Sequence, residues 1–311
     1  MDRPSVHVVI VNWNAGAQLA ECLASFAAVG DETVAVSVTV VDNASTDGSA
    51  DGLVAPPSVP LAVLRNAENR GFAAACNQGA AGSDADFLLF LNPDTRLMPG
   101  SLIGPVAYLR EHETVGIVGI RLLDEAGAVA RNTARAPRAW AMVGQSIGFD
   151  RLAPSVFPPL FNSDWAHDET RVVDQVMGAF FLVRRNLFEA LGGFDERFFV
   201  YYEDLDFAVR ARAKGWSSVY LASASAFHRG QGTTAGATAR RTLYFCRSRI
   251  LYAGKHFGVV GATAVTLATL AFEPIVRLVM RPSSAAGTLR AFAALWCELP
   301  SLLRASVTRR P

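Results

Sequence analysis

The run Phe87-Leu88-Leu89-Phe90-Leu91 holds five apolar residues without a polar break, and Asn92-Pro93-Asp94-Thr95 follows at once. A short continuous apolar run fits a strand buried on both faces, as in a parallel sheet covered by helices. Pro93 has no N–H to give to a ladder and so ends that strand. Asp94 is then left just past the carboxyl end of a central strand, the edge where open α/β sheets bind ligands. A purely local reading, in which Asp94 caps the next turn, is also open at this point.

The flanking sequence repeats the pattern. Val6–Val11 reads as a first buried strand, Asn12–Gly16 as a turn, and Leu19, Cys22, Leu23 and Phe26 recur at helical spacing. Val36–Asp42 reads as a second strand with a polar loop, Asn43–Gly48, behind it; Leu61–Leu64 reads as a third, and Phe72–Ala81 as an alanine-rich helix. A helix over Ser101–Glu111 follows Phe87–Leu91. Strand alternating with helix predicts an α/β fold with a mainly parallel, Rossmann-like sheet flanked by helices. Residues 131–170 carry four prolines and no clear period, and read as a long, partly irregular segment that lines or covers a site. Order returns with a strand over Val176–Arg185, a helix through Leu191 stopped by Gly192-Gly193, and a helix over Glu203–Lys214 closed by Gly215.

Hydrophobic residues make up 51% of the 311-residue chain and charged residues 18%, which suits a core-bearing protein and excludes bulk disorder. A net charge of +1 offers no basic field for nucleic acid, but the charge is unevenly placed. Residues 247–311 carry nine Lys and Arg against two acids, +7, and the remainder carries 20 against 26, −6. An acidic body with a basic tail calls for a partner. The four cysteines are far apart and form no C-x-x-C pair, so reduced thiols in a cytosolic compartment are expected. The apolar run near the amino terminus is too short for a signal peptide, and the body is expected to stay on the side where it is made. Neither G-x-x-x-x-G-K-[ST] nor G-x-G-x-x-G follows the first strand.

Six stretches resemble, in order and at familiar spacing, the inverting nucleotide-sugar glycosyltransferases of the GT-A fold (family 2 type): Ile10–Asn14 (IVNWN), Val40–Ser49 (VVDNASTDGS), Asn69–Gly79 (NRGFAAACNQG), Phe90–Thr95 (FLNPDT), Gly178–Arg185 (GAFFLVRR) and Gly192–Trp216, with His228 beyond. The NPD form and the long GGFDE…EDLD block are most similar to bacterial rhamnosyltransferases of cell-wall and surface-polysaccharide assembly. The resemblance implies three parts: a nucleotide-sugar half over 1–120, an acceptor and catalytic half over 121–235, and a helical, basic tail over 236–311. It implies a donor site from Val11, Trp13, Asp42, Asn69, Arg70, Gly71 and Asn92, with a dTDP- or UDP-sugar as ligand. A carboxylate at Asp42 suits the N3–H of uracil or thymine and rejects cytosine, whose N3 is an acceptor. Asp94 and His228 are implied metal ligands for Mg²⁺ or Mn²⁺, hard cations that accept carboxylates together with phosphates. Asn92 stands where a first Asp often does, so the charge at the site is reduced. Asp204 is the implied catalytic base, with Glu203 and Asp206 crowding the same helix start and Gly178 on the acceptor side; crowding raises a carboxyl pKa, which suits a base. For Asn77 two readings stand, a site residue or a helix position that holds a neighbouring loop. No Q/R-x-x-R-W element follows, so addition of a single sugar is expected.

In the tail, Phe257–Phe272 is apolar over 16 residues, short of the roughly 20 that span a bilayer, and Glu273-Pro274 is expected to interrupt it. With a second amphipathic piece at Leu289–Leu303, an interfacial anchor on the cytoplasmic leaflet is expected, against a helical pair that packs back or forms a homodimer. The expected acceptor is a glycan or a polyprenyl-linked glycolipid. Two other functions are weighed: a nucleotidyltransferase, which would show a basic, glycine-rich loop after the first strand where NWNAGAQLAE has none, and a non-catalytic relative acting as a binding subunit.

Overall fold

The computed structural model describes residues 3–29, 33–162, 164–230, 238–280 and 284–307. Arg281, Arg309 and Arg310, which are counted in the +7 of residues 247–311, lie outside the described residues. The chain divides into two compact units, one made of Met1–Ala134, Phe161–Glu196 and Glu203–Thr233, the other of Arg135–Leu160, Arg197–Tyr202 and Thr234–Pro311.

The first unit is built on a nine-stranded sheet. Its elements begin β1 (Ser5–Asn12), α1 (Gln18–Ala24), β2 (Ala35–Asp42), β3 (Leu61–Arg65), α2 (Phe72–Ala80), β4 (Phe87–Leu91), β5 (Thr95–Leu97), α3 (Ile103–Glu111) and β6 (Val115–Leu123). After β7 (Thr133–Ala134) come β8 (Arg171–Val173), β9 (Gln175–Val176), β10 (Phe180–Arg184), α6 (Arg185–Ala190), α7 (Glu203–Ala213) and β11 (Ser217–His228); α4 (Ala139–Ser146) and α5 (Phe149–Leu152) belong to the second unit. The strand order is β3-β2-β1-β4-β10-β6-β11-β5, with β8 beside β11 and a separate β7–β9 pair. β3, β2, β1 and β4 run parallel, as do β6 and β11, whereas β10 is antiparallel to both β4 and β6. Every residue of β4 is buried, as its uninterrupted apolar run demands. One core layer forms under α1 and α3, and a second forms under α2, α6 and α7, where Phe90, Phe181, Phe188, Phe194 and Phe207 pack edge-on or tilted.

Two features of this sheet are absent from the sequence reading. The strand expected over Val176–Arg185 is broken: β9 ends at Val176, β10 begins at Phe180, and Met177-Gly178-Ala179 lies between them outside the ladder. β6 and β11 are long strands that carry glycine or small polar residues. Gly119 sits where a Cβ would lie 2.6 Å from the Val176 side chain, so only glycine lets β6 and β9 approach. β11 shifts register against β6 between Leu221 and Ser225, and its last residues then pair antiparallel with β5, placing His228 opposite Thr95. A bulge of this kind bends a strand and re-aims its end.

The second unit is helical: α4 (Ala139–Ser146), α5 (Phe149–Leu152), the strap Arg197–Tyr202, α8 (Thr238–His256), α9 (Gly258–Leu267), a π-turn over Ala268–Phe272, α10 (Glu273–Met280) and α11 (Ala285–Val307). Residues 131–170 are partly irregular, as expected, with α4, α5 and the short β7 as their regular elements. The expected interruption at Glu273-Pro274 does not occur. The π-turn absorbs the proline, and one helix runs over Gly258–Met280, 23 residues long with a mean hydropathy of 1.7 in its most apolar window. That is long and apolar enough to cross a membrane, but the helix also carries a buried carboxylate. Glu273 accepts from Arg277 at 2.7 Å and pairs with Arg249 of α8, which also donates to Ser146 Oγ at 2.7 Å. Arg249 and Glu273 are each 4% exposed.

Removing one partner of a buried pair leaves an uncompensated charge and costs roughly 3–5 kcal/mol. Glu273→Ala is expected to destabilise the second unit by that order in urea denaturation. Replacing both partners together, Arg249→Met with Glu273→Leu, is expected to recover most of the loss. A single variant that melts like the parent would show that the pair is energetically silent.

Candidate active site

The site grows from the carboxyl ends of β1, β2 and β4. Asn12 closes β1 and pairs in register with Asp42, the last residue of β2. The Asn12 amide donates to Asp42 Oδ1 at 2.8 Å and to Ser49 Oγ at 2.9 Å, and Asp42 Oδ2 accepts the Ser45 N–H at 3.4 Å. Asp42 is thus a buried carboxylate oriented by its neighbours, with lone pairs still available on both oxygens. The turn after β1, which carries half-buried Trp13 beyond buried Val11, is sewn to the loop after β2. Asn14 N–H donates to Ser45 Oγ at 2.9 Å, Thr46 N–H to Asn14 Oδ1 at 2.8 Å, and Gly16 N–H to Asp47 Oδ2 at 2.9 Å.

Asn43 then ties in the third stretch. Its Nδ2 donates to the Gly71 carbonyl at 3.0 Å, and its Oδ1 accepts from Asn66 at 2.9 Å and from the Arg70 N–H at 3.4 Å. Asn69 Oδ1 accepts the Gly71 N–H at 2.9 Å. Gly71 has φ +88°, a conformation that costs other residues energy, and α2 starts immediately after it. The Arg70 side chain is exposed on this loop.

At β4, the Asn92 N–H donates to the Ala179 carbonyl at 3.1 Å, the Thr95 N–H to the Asn92 carbonyl at 3.1 Å, and the Arg229 N–H to the Asp94 carbonyl at 3.1 Å. The turn is therefore held on one side by the residue just before β10 and on the other by the residue just after β11. His228 Nε2 lies 3.3 Å from Asp94 Oδ1 and 3.4 Å from Asn92 Nδ2, so the residues expected to bind metal do meet. A carboxylate and an imidazole with an amide beside them fit a hard divalent cation that takes its remaining ligands from phosphate and water. No group of three or more His, Cys, Asp and Glu residues gathers at one point among the described residues, so the protein side of such a site is sparse.

Asp204 lies in the first turn of α7. Its Oδ2 accepts the Gly178 N–H at 2.9 Å and its Oδ1 accepts the Leu205 N–H at 2.8 Å. The break between β9 and β10 is what leaves the Gly178 N–H available, and Phe72 of α2 reaches the same spot. Burial raises the Asp204 pKa, while hydrogen bonds from Gly178, Leu205 and Gln175 oppose the rise. Glu203 is 5% exposed and its Oε2 has no hydrogen-bond partner. Burial first, and the Asp204 charge second, hold it well above the usual carboxylate range.

Asp206 has a different fate. It is fully buried and accepts from Arg210 Nε at 2.8 Å, and Arg210 also donates to the Leu191 and Gly193 carbonyls at 2.8 and 2.9 Å. The third acid of the cluster fastens α7 to the turn after α6. Asn77 fastens the same turn, taking the Phe194 N–H at 2.9 Å and donating to its carbonyl at 2.8 Å, which settles it as the residue that holds a neighbouring loop. Asn12, Asn43 and Gln175 were missed as site-building residues. The first two stand inside quoted motifs, next to the residues chosen from them.

Residues 4–243 match the family described as Glycosyltransferase like family 2. The chain belongs to this family. Among curated proteins it is similar to the N-acetylglucosaminyl-diphospho-decaprenol L-rhamnosyltransferase of Mycobacterium tuberculosis, 30% identical over 71% of this chain and 75% of the relative. It is also similar to the rhamnosyltransferase WbbL of Escherichia coli, 26% identical over 47% of this chain and 53% of that protein. Among solved structures it resembles the mannosyltransferase PcManGT of Pyrobaculum calidifontis, determined with GDP-Man and Mn²⁺, at a TM-score of 0.55 and 18% identity over 98% of this chain and 86% of that one. The likeness in structure establishes the GT-A fold. Membership of a glycosyltransferase family sets aside the nucleotidyltransferase reading.

The buried acids give a pH test. A carboxyl whose folded pKa lies above its unfolded value binds more protons when folded, so its ionisation lowers stability as pH rises from about 4.3 through the folded pKa. Glu203→Gln removes that term. The variant is expected to melt at or above the parent temperature at pH 8 and to lose that advantage near pH 4. A parent-like pH profile of the melting temperature would show that Glu203 is ionised in the fold at no cost.

Proposed function

We propose that the protein transfers a single sugar, rhamnose from dTDP-rhamnose, to a polyprenyl-linked glycolipid acceptor with inversion, in cell-wall or surface-polysaccharide synthesis. The observation that carries the chemistry is Asp204, a buried carboxylate fixed by the Gly178 N–H, in the same unit as Asp42 and the Asp94–His228 pair. The curated relatives are named as rhamnosyltransferases, one of them with a decaprenol-linked substrate, which supports the donor sugar and the acceptor class.

In this reading Asp42 accepts the N3–H of thymine, and the Asn69–Gly71 loop lies along the nucleotide. Asp94 and His228 would hold a divalent cation, Mg²⁺ or Mn²⁺, which would supply neutralisation of the diphosphate charge. The acceptor hydroxyl oxygen attacks the anomeric carbon from the side opposite the diphosphate. Its proton passes to Asp204 as the new C–O bond forms, and the old C–O electron pair leaves with the diphosphate. Burial favours the neutral form of Asp204, so its carboxylate holds an abstracted proton more firmly than a solvated one would. The enzyme works as a peripheral protein on the cytoplasmic face of the membrane, a placement supported by the basic, apolar second unit.

Asp204→Asn is expected to lower transfer about 10²–10⁴-fold with little change in dTDP affinity by calorimetry. Asp94→Asn is expected to abolish turnover and the response to added Mg²⁺ or Mn²⁺. The decisive assay is release of nucleoside diphosphate from a panel of nucleotide sugars. Release from a different donor, with dTDP-rhamnose inert, would overturn the rhamnosyl assignment. Loss of dTDP binding with retained turnover in the Asp204 variant would make Asp204 a donor ligand instead.

A further inference from the structure

The charge division by fold differs from the division by sequence. The second unit, counted over its whole sequence, has fifteen Arg and Lys residues and three acids, a net +12, whereas the first has fourteen and twenty-five, a net −11. Arg135, Arg138, Arg151 and Arg197 come from the body of the sequence but count with the tail.

The apolar surface of the second unit is divided in the same way. Leu152 is 80% exposed and Val279 76%, with Trp140, Phe149, Val156 and Met280 also exposed. Printed on one surface, these residues are joined by contact. Trp140 and Phe149 each meet Phe157 at 5.7 Å between ring centroids. Gly148, at φ +80°, brings α5 against Val276 of α10, where an added Cβ would lie 3.3 Å from the valine. Arg151 Nη1 reaches the Met280 sulfur at 3.0 Å. The short helix α5 and the end of α10 therefore make one patch of large apolar side chains, with exposed Arg138 and Arg151 among them.

We infer that this patch, Trp140, Phe149, Leu152, Val279 and Met280, is a docking surface for an anionic lipid bilayer. The inference rests on the peripheral-membrane part of the reading above and adds that α4 and α5, far from the tail in sequence, supply three of the five patch residues. Charge selects the occupant. A second copy placed symmetrically on this patch would bring Arg138 and Arg151 of both copies to one interface, whereas an anionic leaflet is complementary to them. The composition agrees: Trp, Phe and aliphatic side chains exposed together with arginine is the make-up of a surface that sits at a headgroup boundary. The Arg249–Glu273 pair keeps the Gly258–Met280 helix in its own unit, because drawing it across a bilayer would strip Glu273 of its partner on α8.

The test uses the full chain and vesicles of phosphatidylcholine with or without phosphatidylglycerol, without nucleotide. Sedimentation with the anionic vesicles is expected, with binding weakened about tenfold or more by Phe149→Glu with Leu152→Glu. Tryptophan emission is expected to shift to the blue on adding those vesicles, and Trp140→Phe to remove most of the shift. The proposal is overturned if the double variant binds as tightly as the parent, if the blue shift survives Trp140→Phe, or if the double variant only turns a dimer into a monomer in analytical ultracentrifugation. dTDP affinity is measured on the same samples. Its absence would overturn the donor reading alone, because vesicle binding is scored without nucleotide.

Discussion

Three residues between β9 and β10 hold the candidate site together. The Ala179 carbonyl takes the Asn92 N–H and the Thr95 hydroxyl, which fixes the turn carrying Asp94. One residue earlier, the Gly178 N–H takes Asp204 Oδ2. One residue later, Phe180 enters the ladder beside Leu91. A single peptide stretch thus sets the proposed metal ligand and the proposed base from the same piece of backbone. Neither end relies on a long side chain to bridge the gap, which is how a site keeps its geometry to a fraction of an ångström.

Much of this was legible in the sequence because it rests on local signals. Continuous apolar runs gave β1, β2 and β4 almost to the residue, and polar residues at their ends marked the binding edge. Asp42, Asp94 and Asp204 stood out as acids where helices and strands begin or end. β6 and β11 escaped because their apolar character is diluted: Gly116 and Gly119 are required by close neighbours, and serine alternates along the end of β11. The meeting of His228 with Asp94 depends on the β11 bulge, which no spacing along the chain reveals. The way Asp206 supports the site was hidden for a related reason. Its partner, Arg210, lies four residues away on the same helix, but what makes the pair structural is the Leu191–Gly193 turn that Arg210 grips.

The tail shows a second limit of reading linearly. Glu273-Pro274 looks like a stop, since a carboxylate and a proline both oppose a buried helix. The fold answers each separately, with a π-turn ahead of the proline and two arginines on the carboxylate. The same helices gather Arg135–Leu160 into their unit, so a charge asymmetry that looked like a property of the carboxyl terminus belongs to a folded surface with contributions from the middle of the chain.

The antiparallel seat of β10 has a consequence for how the chain is made. β4 follows its partner β1 in the chain, but the partner of its other edge, Phe180–Arg184, is encoded roughly ninety residues later. During synthesis that interval leaves five consecutive apolar residues with an unsatisfied row of backbone groups, the kind of edge that recruits a strand from another chain. Asp86 stands at one end of the run and Pro93 at the other, the charged and proline residues that gatekeep such segments. Nascent chains that stall before residue 180 are, by this geometry, the ones a cell must shield or degrade.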